Sequence, residues 1–177
     1  MPLAYIGLGS NLPSPAGHPD ATLAAALPQL ASIGRIAARS SLYSTAPVGL
    51  ANQPRFLNAV VSIDTALAPR TLLAALLFIE RLFGRDRATA VPNGPRTLDL
   101  DILLYGDLIL SEPGLEIPHP RLAQRAFVLV PLAEIAPTLR DPRSGLTAAQ
   151  LVSNLAPDET SSGPAVAPFQ SQFWPSN

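Results

Sequence analysis

The clearest potential for chemistry in this chain lies in two aspartates placed two residues apart in an otherwise apolar run. They are Asp99 and Asp101, in the segment GPRTLDLDILLYG. On a β-strand, residues i and i+2 lie on one face, roughly 6.5–7 Å apart, so both carboxylates point the same way. Their repulsion costs about 2–3 kcal/mol at an effective dielectric constant near 20. A divalent cation such as Mg²⁺ would offset this cost, since it prefers oxygen ligands and keeps positions for water and phosphate.

The loop before these aspartates is basic. Its sequence, GRDRATAVPNGPR, carries Arg85, Arg87 and Arg96, with Asp86 as its only acid. A bare D-x-D pair also fits a solvated strand face or a surface ion network. Guanidinium groups beside paired carboxylates form the usual environment of a polyphosphate, because they bind the oxygens that a cation leaves uncovered. The combination therefore favours phosphate chemistry.

Composition narrows the classes of partner. The 177 residues suit one domain with a real core, and a net charge of −1 gives no electrostatic case for nucleic acid or an acidic membrane. The absence of cysteine excludes disulfides and thiolate metal sites, and no apolar run is long enough to cross a bilayer. We expect a cytoplasmic monomer that acts on small molecules, with no nucleic-acid or membrane partner.

Alternating apolar residues and turn signals predict the order β-α-β-β-α-β for the first 105 residues. This is the split βαβ arrangement, a ferredoxin-like α+β fold in which helices pack on an antiparallel sheet. C-terminal additions extend the domain to residue 155. Residues 156–177, rich in Pro, Ser and Ala, are predicted to be a flexible or surface-draped tail in which Trp174 provides an anchor. The predicted elements are strands at 3–10, 35–45, 56–65 and 98–105, and helices at 20–33 and 68–84.

Three segments in this order and separation carry a family resemblance: YIGLGSN, GPRTLDLDILLYG and IPHPRLAQRAFVLVPLAEIAP. Over residues 3–155 the chain resembles the 6-hydroxymethyl-7,8-dihydropterin pyrophosphokinases of folate biosynthesis. The resemblance implies a ferredoxin-like fold and transfer of pyrophosphate from ATP, the co-substrate, to the pterin hydroxymethyl group, with release of AMP. It also implies that Asp99 and Asp101 hold two Mg²⁺ ions, which neutralise phosphate charge and orient the attacking oxygen.

The same resemblance implies a set of nucleotide-side residues. Arg85 and Arg87 match catalytic arginines on a mobile loop that closes over the triphosphate. Taken singly, an arginine is most often a solvated side chain and a lone histidine is most often structural, so these roles depend on the resemblance. The residues that match ATP contacts are Glu80, Arg87, Arg96, His119 and Arg125.

A second set matches the pterin site. Phe56 and Phe127 fall where the family stacks the ring from both sides, and Asn58 falls where an amide binds the ring edge. Thr45 and Val48 match positions that offer mainly backbone contacts. The residues themselves agree in part: Phe56 and Asn58 share a strand face by parity, and a lone amide among apolar neighbours needs partners if buried. Both phenylalanines would equally fit a core.

One departure from the family and two rival functions remain open at this point. Asn93 stands where many members carry a tryptophan, which puts that residue's stacking role in doubt. A D-x-D nucleotidyltransferase would place its Gly-Ser turn close to the aspartates, whereas Ser10 and Asp99 are almost ninety residues apart. A non-catalytic ferredoxin-like metabolite-binding module would not need three arginines and two carboxylates on one rim.

Overall fold

The structure is a computed structural model that describes residues 1–47, 52–88, 91–155 and 166–175. Val48 lies outside the described residues. The elements of the predicted core are β1 Leu3–Ser10, α1 Pro19–Ala31, β2 Arg35–Arg39, β3 Leu42–Thr45, β4 Phe56–Asp64, α2 Pro69–Leu82 and β5 Asp99–Tyr105. They are followed by β6 Leu110–Glu112, β7 Leu115–Ile117, a 3₁₀ turn at Leu122–Gln124, α3 Ala126–Ile135, α4 Ala148–Ser153 and β8 Val166–Phe169.

The main sheet has the strand order predicted for a ferredoxin-like domain. Its order in the described residues is β5-β1-β4-β3-β8, with β2 also paired to β4, and every pair is antiparallel. β2 and β3 follow one another along the same edge of β4 and together form the predicted strand at 35–45, interrupted at Ser40 and Ser41. A separate hairpin joins β6 to β7.

The alternation of side chains divides the interior into two cores. Toward α1 and α2, the sheet presents the aliphatic positions of β1, β4 and β5, which include Ile6, Val61 and Leu100. Toward α3 and α4, it presents Tyr5, Val60 and Leu103. The C-terminal helices therefore cover the second sheet face. Where the second core ends, this face is lined by glycines and polar residues.

The two long helices begin as the sequence indicates. Pro19 starts α1 and Pro69 starts α2, and proline is tolerated at a first helical position because its missing N–H would have no partner there. Gly84 follows α2 with a φ of 80°, the left-handed conformation that glycine adopts most easily. The predicted helix bounds are within a few residues of the observed ones. Among the residues that the structure describes, no helix is both long and apolar enough to span a bilayer.

The described part of the C-terminal segment lies on the domain. β8 extends the sheet beyond β3, and the Ser171 hydroxyl donates to Asp20 Oδ2 at 2.8 Å. Trp174 is 8% exposed and its indole N–H donates to the Ser40 carbonyl at 2.9 Å. Residues 166–175 therefore pack against the surface of the domain, with Trp174 in a buried contact.

Candidate active site

A cleft opens on the second sheet face, and its floor is a pair of glycines on β1. Gly9 lies between Asn58 of β4 and Asp99 of β5, and Gly7 lies opposite Asp101. A Cβ at Gly9 would come within 2.9 Å of Asn58 Oδ1, so the close approach of that amide requires glycine. The bare floor joins the residues predicted for pterin to those predicted for metal. The polar and aromatic residues lining the cleft are Thr45, Phe56, Asn58, Asn93, Arg96, Asp99, Asp101, Arg125 and Phe127.

The two aspartates face the cleft together. They alternate along β5 with the buried residues Leu100 and Ile102, as the sequence pattern predicts. Burial, and then the charge of Asp99, raise the pKa of Asp101 from 3.8 to about 6. The second of these causes is repulsion between the two carboxylates, which a bound cation would offset.

Three arginines surround Asp99. Arg85 Nη2 lies 3.8 Å from Oδ1, Arg87 Nη2 lies 3.7 Å from the same oxygen, and Arg96 Nη1 lies 3.5 Å from Oδ2. The buried Nε atoms of Arg85 and Arg96 have no hydrogen-bond partner among the residues that the structure describes. Buried donors without partners are costly, and in a basic site they suit an anionic ligand.

Glu80 lies behind these arginines, outside the cleft. Its side chain is 1% exposed. Its carboxylate accepts Arg87 Nε at 2.8 Å and Arg87 Nη2 at 2.7 Å, and also the Leu100 N–H at 2.8 Å. Both oxygens are therefore engaged, and Glu80 connects α2, the arginine loop and β5. This placement makes it an anchor for Arg87.

Arg96 is held from its backbone by Asn11. The Arg96 N–H donates to Asn11 Oδ1 at 2.8 Å, and the Asn11 N–H donates to the Arg96 carbonyl at 3.0 Å. The guanidinium lies 4.9 Å from the centroid of the Phe56 ring, within the range of a cation–π contact. Arg96 thus spans the space between Asp99 and Phe56.

His119 and Arg125 approach from the far side of β5. His119 Nε2 is 4.0 Å from Asp101 Oδ2, which is beyond hydrogen-bond distance, and Nδ1 accepts the Arg121 N–H at 3.1 Å. Burial, followed by the charges of Arg125 and Arg121, lowers the pKa of His119 to about 4, so its imidazole is neutral at neutral pH. Arg125 lines the cleft and lies 5.4 Å from the centroid of the Phe127 ring.

The opposite end of the cleft contains the residues predicted for pterin. Asn58 is 7% exposed and its Nδ2 donates to Thr45 Oγ1 at 2.6 Å, so Thr45 contributes its side chain by orienting the amide. Phe56 and Phe127 both line this end, one from β4 and one from α3. The predicted Val48 contact falls outside the described residues.

The sequence predicted Gly9 as part of a turn that shapes the wall of the site, whereas the structure places it within β1; two features of the cleft were therefore not predicted in the form observed. The paired glycines of YIGLGSN occupy alternate positions on one strand face, and that spacing was the available signal for a bare floor. Asn93, noted only as a departure from the family, lines the cleft in a left-handed conformation with a φ of 56°. Its carbonyl accepts Gln53 Nε2 at 2.8 Å.

The raised pKa gives a testable pH dependence. The pKa of Asp101 rises from 3.8 to about 6 on folding, so the folded state binds this proton more tightly than the unfolded state. Its contribution to the free energy of unfolding of the metal-free protein is fully present below pH 3.8 and is lost as the pH rises through 6. The same proton must leave before a cation binds. Carboxyl ¹³C NMR of Mg²⁺-free protein should show one aspartate titrating near pH 6. The resonance should be absent in Asp101→Asn and present in Asp107→Asn, whose site is exposed; its persistence in Asp101→Asn contradicts the assignment.

Comparisons with known proteins place the chain in a family. The sequence profile of the 7,8-dihydro-6-hydroxymethylpterin-pyrophosphokinase family matches residues 5–137. Two similar relatives are named 2-amino-4-hydroxy-6-hydroxymethyldihydropteridine pyrophosphokinase. The one from Pseudomonas aeruginosa is 50% identical over 140 residues, covering 78% of this chain and 83% of the relative. The one from Synechocystis is 44% identical over 154 residues, covering 86% of this chain and 75% of the relative.

Solved structures agree on the fold. The crystal structure of wild-type Plasmodium falciparum HPPK-DHPS matches with a TM-score of 0.68 at 16% sequence identity. The match covers 86% of this chain and 44% of that chain, so the chain spans less than half the length of that protein. At this identity the likeness supports the fold alone.

Proposed function

The chain belongs to the 7,8-dihydro-6-hydroxymethylpterin-pyrophosphokinase family, and we propose which residues of its cleft bind the pterin, the metal ions and the phosphates. Its reaction is the transfer of pyrophosphate from ATP to the hydroxymethyl group of 6-hydroxymethyl-7,8-dihydropterin, in folate biosynthesis. The hydroxyl oxygen forms a bond to the β-phosphorus of ATP. The bond between that phosphorus and the oxygen bridging to the α-phosphate breaks, and AMP leaves.

The pterin ring lies at the end of the cleft that contains Phe56 and Phe127. A flat heterocycle needs aromatic faces and an in-plane amide. The two phenyl rings supply the faces, and Asn58, oriented by Thr45, binds the ring edge. Gly7 and Gly9 have no side chains, so the hydroxymethyl group can extend over them toward the aspartates. The register supports this path, because Gly9 pairs with Asn58 on one side and Asp99 on the other.

Asp99 and Asp101 fit Mg²⁺ that arrives with ATP. The described residues contain no cluster of three or more His, Cys, Asp and Glu side chains able to hold a metal, whereas Mg²⁺ commonly uses one or two carboxylates and completes its shell with phosphates and water. The raised pKa of Asp101 supports a place for positive charge. When bound, two Mg²⁺ ions would neutralise phosphate charge and lower the pKa of the attacking hydroxyl. Asp99 and Asp101 hold that charge beside the phosphates.

The arginines bind the phosphate oxygens. The buried Nε donors of Arg85 and Arg96 have no partner among the described residues and could bind an anion, and Arg87 extends to the site from Glu80, which holds it. Arg125 and the neutral His119 border the same phosphates from beyond Asp101. Because phosphoryl transfer needs little covalent help from protein groups, positioning and charge neutralisation account for the rate. We also propose that the enzyme acts as a cytoplasmic monomer.

One observation carries this assignment. Gly9 of β1 lies directly between Asn58, in the proposed pterin site, and Asp99, in the proposed metal and phosphate site. The test is product analysis with purified protein, ATP and Mg²⁺, with and without the hydroxymethyl pterin. We expect AMP and pterin diphosphate in equal amounts, dependent on the pterin and abolished by a chelator. Inorganic pyrophosphate as product would indicate a nucleotidyltransferase. Binding of both ligands without AMP would indicate a non-catalytic module.

A further inference from the structure

The break between β2 and β3 connects the substrate cleft to two distant parts of the chain. Ser40 is fully buried and pairs with Val60 of β4: its N–H donates to the Val60 carbonyl at 2.9 Å, and its hydroxyl accepts the Val60 N–H at 3.0 Å. Val60 lines the cleft two residues from Asn58. A shift at Ser40 would therefore move the strand that carries the amide.

The C-terminal segment fixes this break from one side. Trp174 donates its indole N–H to the Ser40 carbonyl in a buried bond, and β8 pairs with β3 up to Thr45, whose partner is Val166. Thr45 in turn accepts the hydrogen bond that orients Asn58. The segment thus supports the sheet side of the pterin site, although it lies beyond the family match at residues 5–137.

Glu134 fixes the break from the helix side. Its carboxylate accepts the Ser41 N–H at 3.0 Å, the Ser41 hydroxyl at 2.8 Å and the Tyr43 hydroxyl at 2.9 Å. Burial, and then the bond to Glu134, raise the pKa of Tyr43 to about 12, so the hydroxyl remains a donor. Glu134 lies seven residues after Phe127 on α3, two turns along the same face. It therefore ties the helix that carries Phe127 to the sheet that carries Asn58.

We propose that Ser40, Ser41, Glu134 and Trp174 form a positioning cluster that sets the distance between Phe127 and Asn58, and hence the affinity for the pterin. The inference rests on the proposed pterin site, whose two walls belong to different elements. A misplacement of about 1 Å in such a site can cost 10²-fold in rate. Through the bond of Trp174 to Ser40, the C-terminal segment thereby contributes to substrate binding without touching the substrate.

The test compares Glu134→Gln and Trp174→Phe with two matched controls. Glu112→Gln alters a surface carboxylate paired with Arg70, and Phe173→Leu alters the half-exposed neighbour of Trp174. For the two cluster variants we expect the KM for pterin to rise about tenfold, with the KM for ATP within about twofold of wild type. A purely structural role would lower Tm without this split between substrates. The controls should resemble wild type.

Different results would contradict the positioning role and the proposed function. Unchanged pterin KM in both cluster variants, or equal rises for both substrates, would overturn the positioning role. If Trp174→Phe does not fold, Glu134→Gln decides the matter, because the change is isosteric and lies at the surface. Wild-type protein that releases no AMP would instead overturn the proposed function. Pterin affinity measured by calorimetry then tests the cluster independently of turnover.

Discussion

Replacing Asp101 by asparagine is expected to lower kcat for AMP formation by about 10³-fold or more, and Asp99→Asn should have the same effect. Under the proposed assignment, each change removes one of two carboxylates that hold positive charge against the phosphates. The structure adds a less obvious expectation. Because Asp99 contributes to the raised pKa of Asp101, Asp101→Asn relieves a repulsion, and its Tm without metal at pH 7 should equal or exceed that of wild type.

The measurements are AMP release at saturating substrates, pterin affinity by calorimetry, and Tm in the presence of chelator. Pterin affinity without nucleotide should stay within about twofold of wild type, since an aspartate-to-asparagine change removes no contact of the ring. Asp107→Asn, at the exposed turn after the same strand, is the control for a lost surface charge. Retention of more than about a tenth of the activity in either cleft variant would refute the carboxylate assignment.

The parts of the site predictable from sequence are those set by strand periodicity. Alternation along β5 places Asp99 and Asp101 on the face opposite Leu100, and alternation along β4 places Phe56 and Asn58 together, as the structure shows. The period of two is local, so a single sequence reveals it. The strand order followed from the predicted element order, because few topologies suit a split βαβ chain.

Contacts between distant segments were not predictable in this way. Glu80 stands out in an apolar helix, but only the fold shows that its carboxylate faces Arg87 and the Leu100 N–H. The C-terminal strand is another case: a segment rich in Pro, Ser and Ala has low intrinsic strand propensity. It pairs because β3 offers an unpaired edge and because the indole of Trp174 finds a buried carbonyl. Such partners are set by tertiary structure.

The second large effect concerns Arg85. We expect Arg85→Ala to lower kcat by about 10²–10³-fold, the range for removing one preorganised donor from a developing charge. The side chain is only 10% exposed, its Nη2 lies 3.8 Å from Asp99 Oδ1, and its Nε has no partner in the described chain, so the guanidinium lies beside the carboxylates in the ligand-free protein. Arg85→Lys keeps the charge but loses the planar fork, and its kcat should fall between those of wild type and Arg85→Ala.

The control is Arg81→Ala, which removes an exposed guanidinium from the end of α2 near Phe78 and should leave kcat within about twofold of wild type.

A double variant, Arg85→Ala with Asp99→Asn, separates two possible roles of Arg85 through its affinity for ATP, although not through kcat. If Arg85 only neutralised Asp99, from which it lies 3.8 Å, its loss would matter little once Asp99 is already asparagine. If both residues act on the same phosphates as one unit, the double variant should also lose little beyond Asp99→Asn, so kcat alone does not distinguish them. Affinity for ATP without metal does, when it is measured in the Asp99→Asn background. Adding Arg85→Ala there should lower the affinity further if Arg85 binds the phosphates, because Asp99 no longer carries a charge to neutralise. Equal metal-free affinity in Asp99→Asn and in the double variant would limit Arg85 to neutralising Asp99.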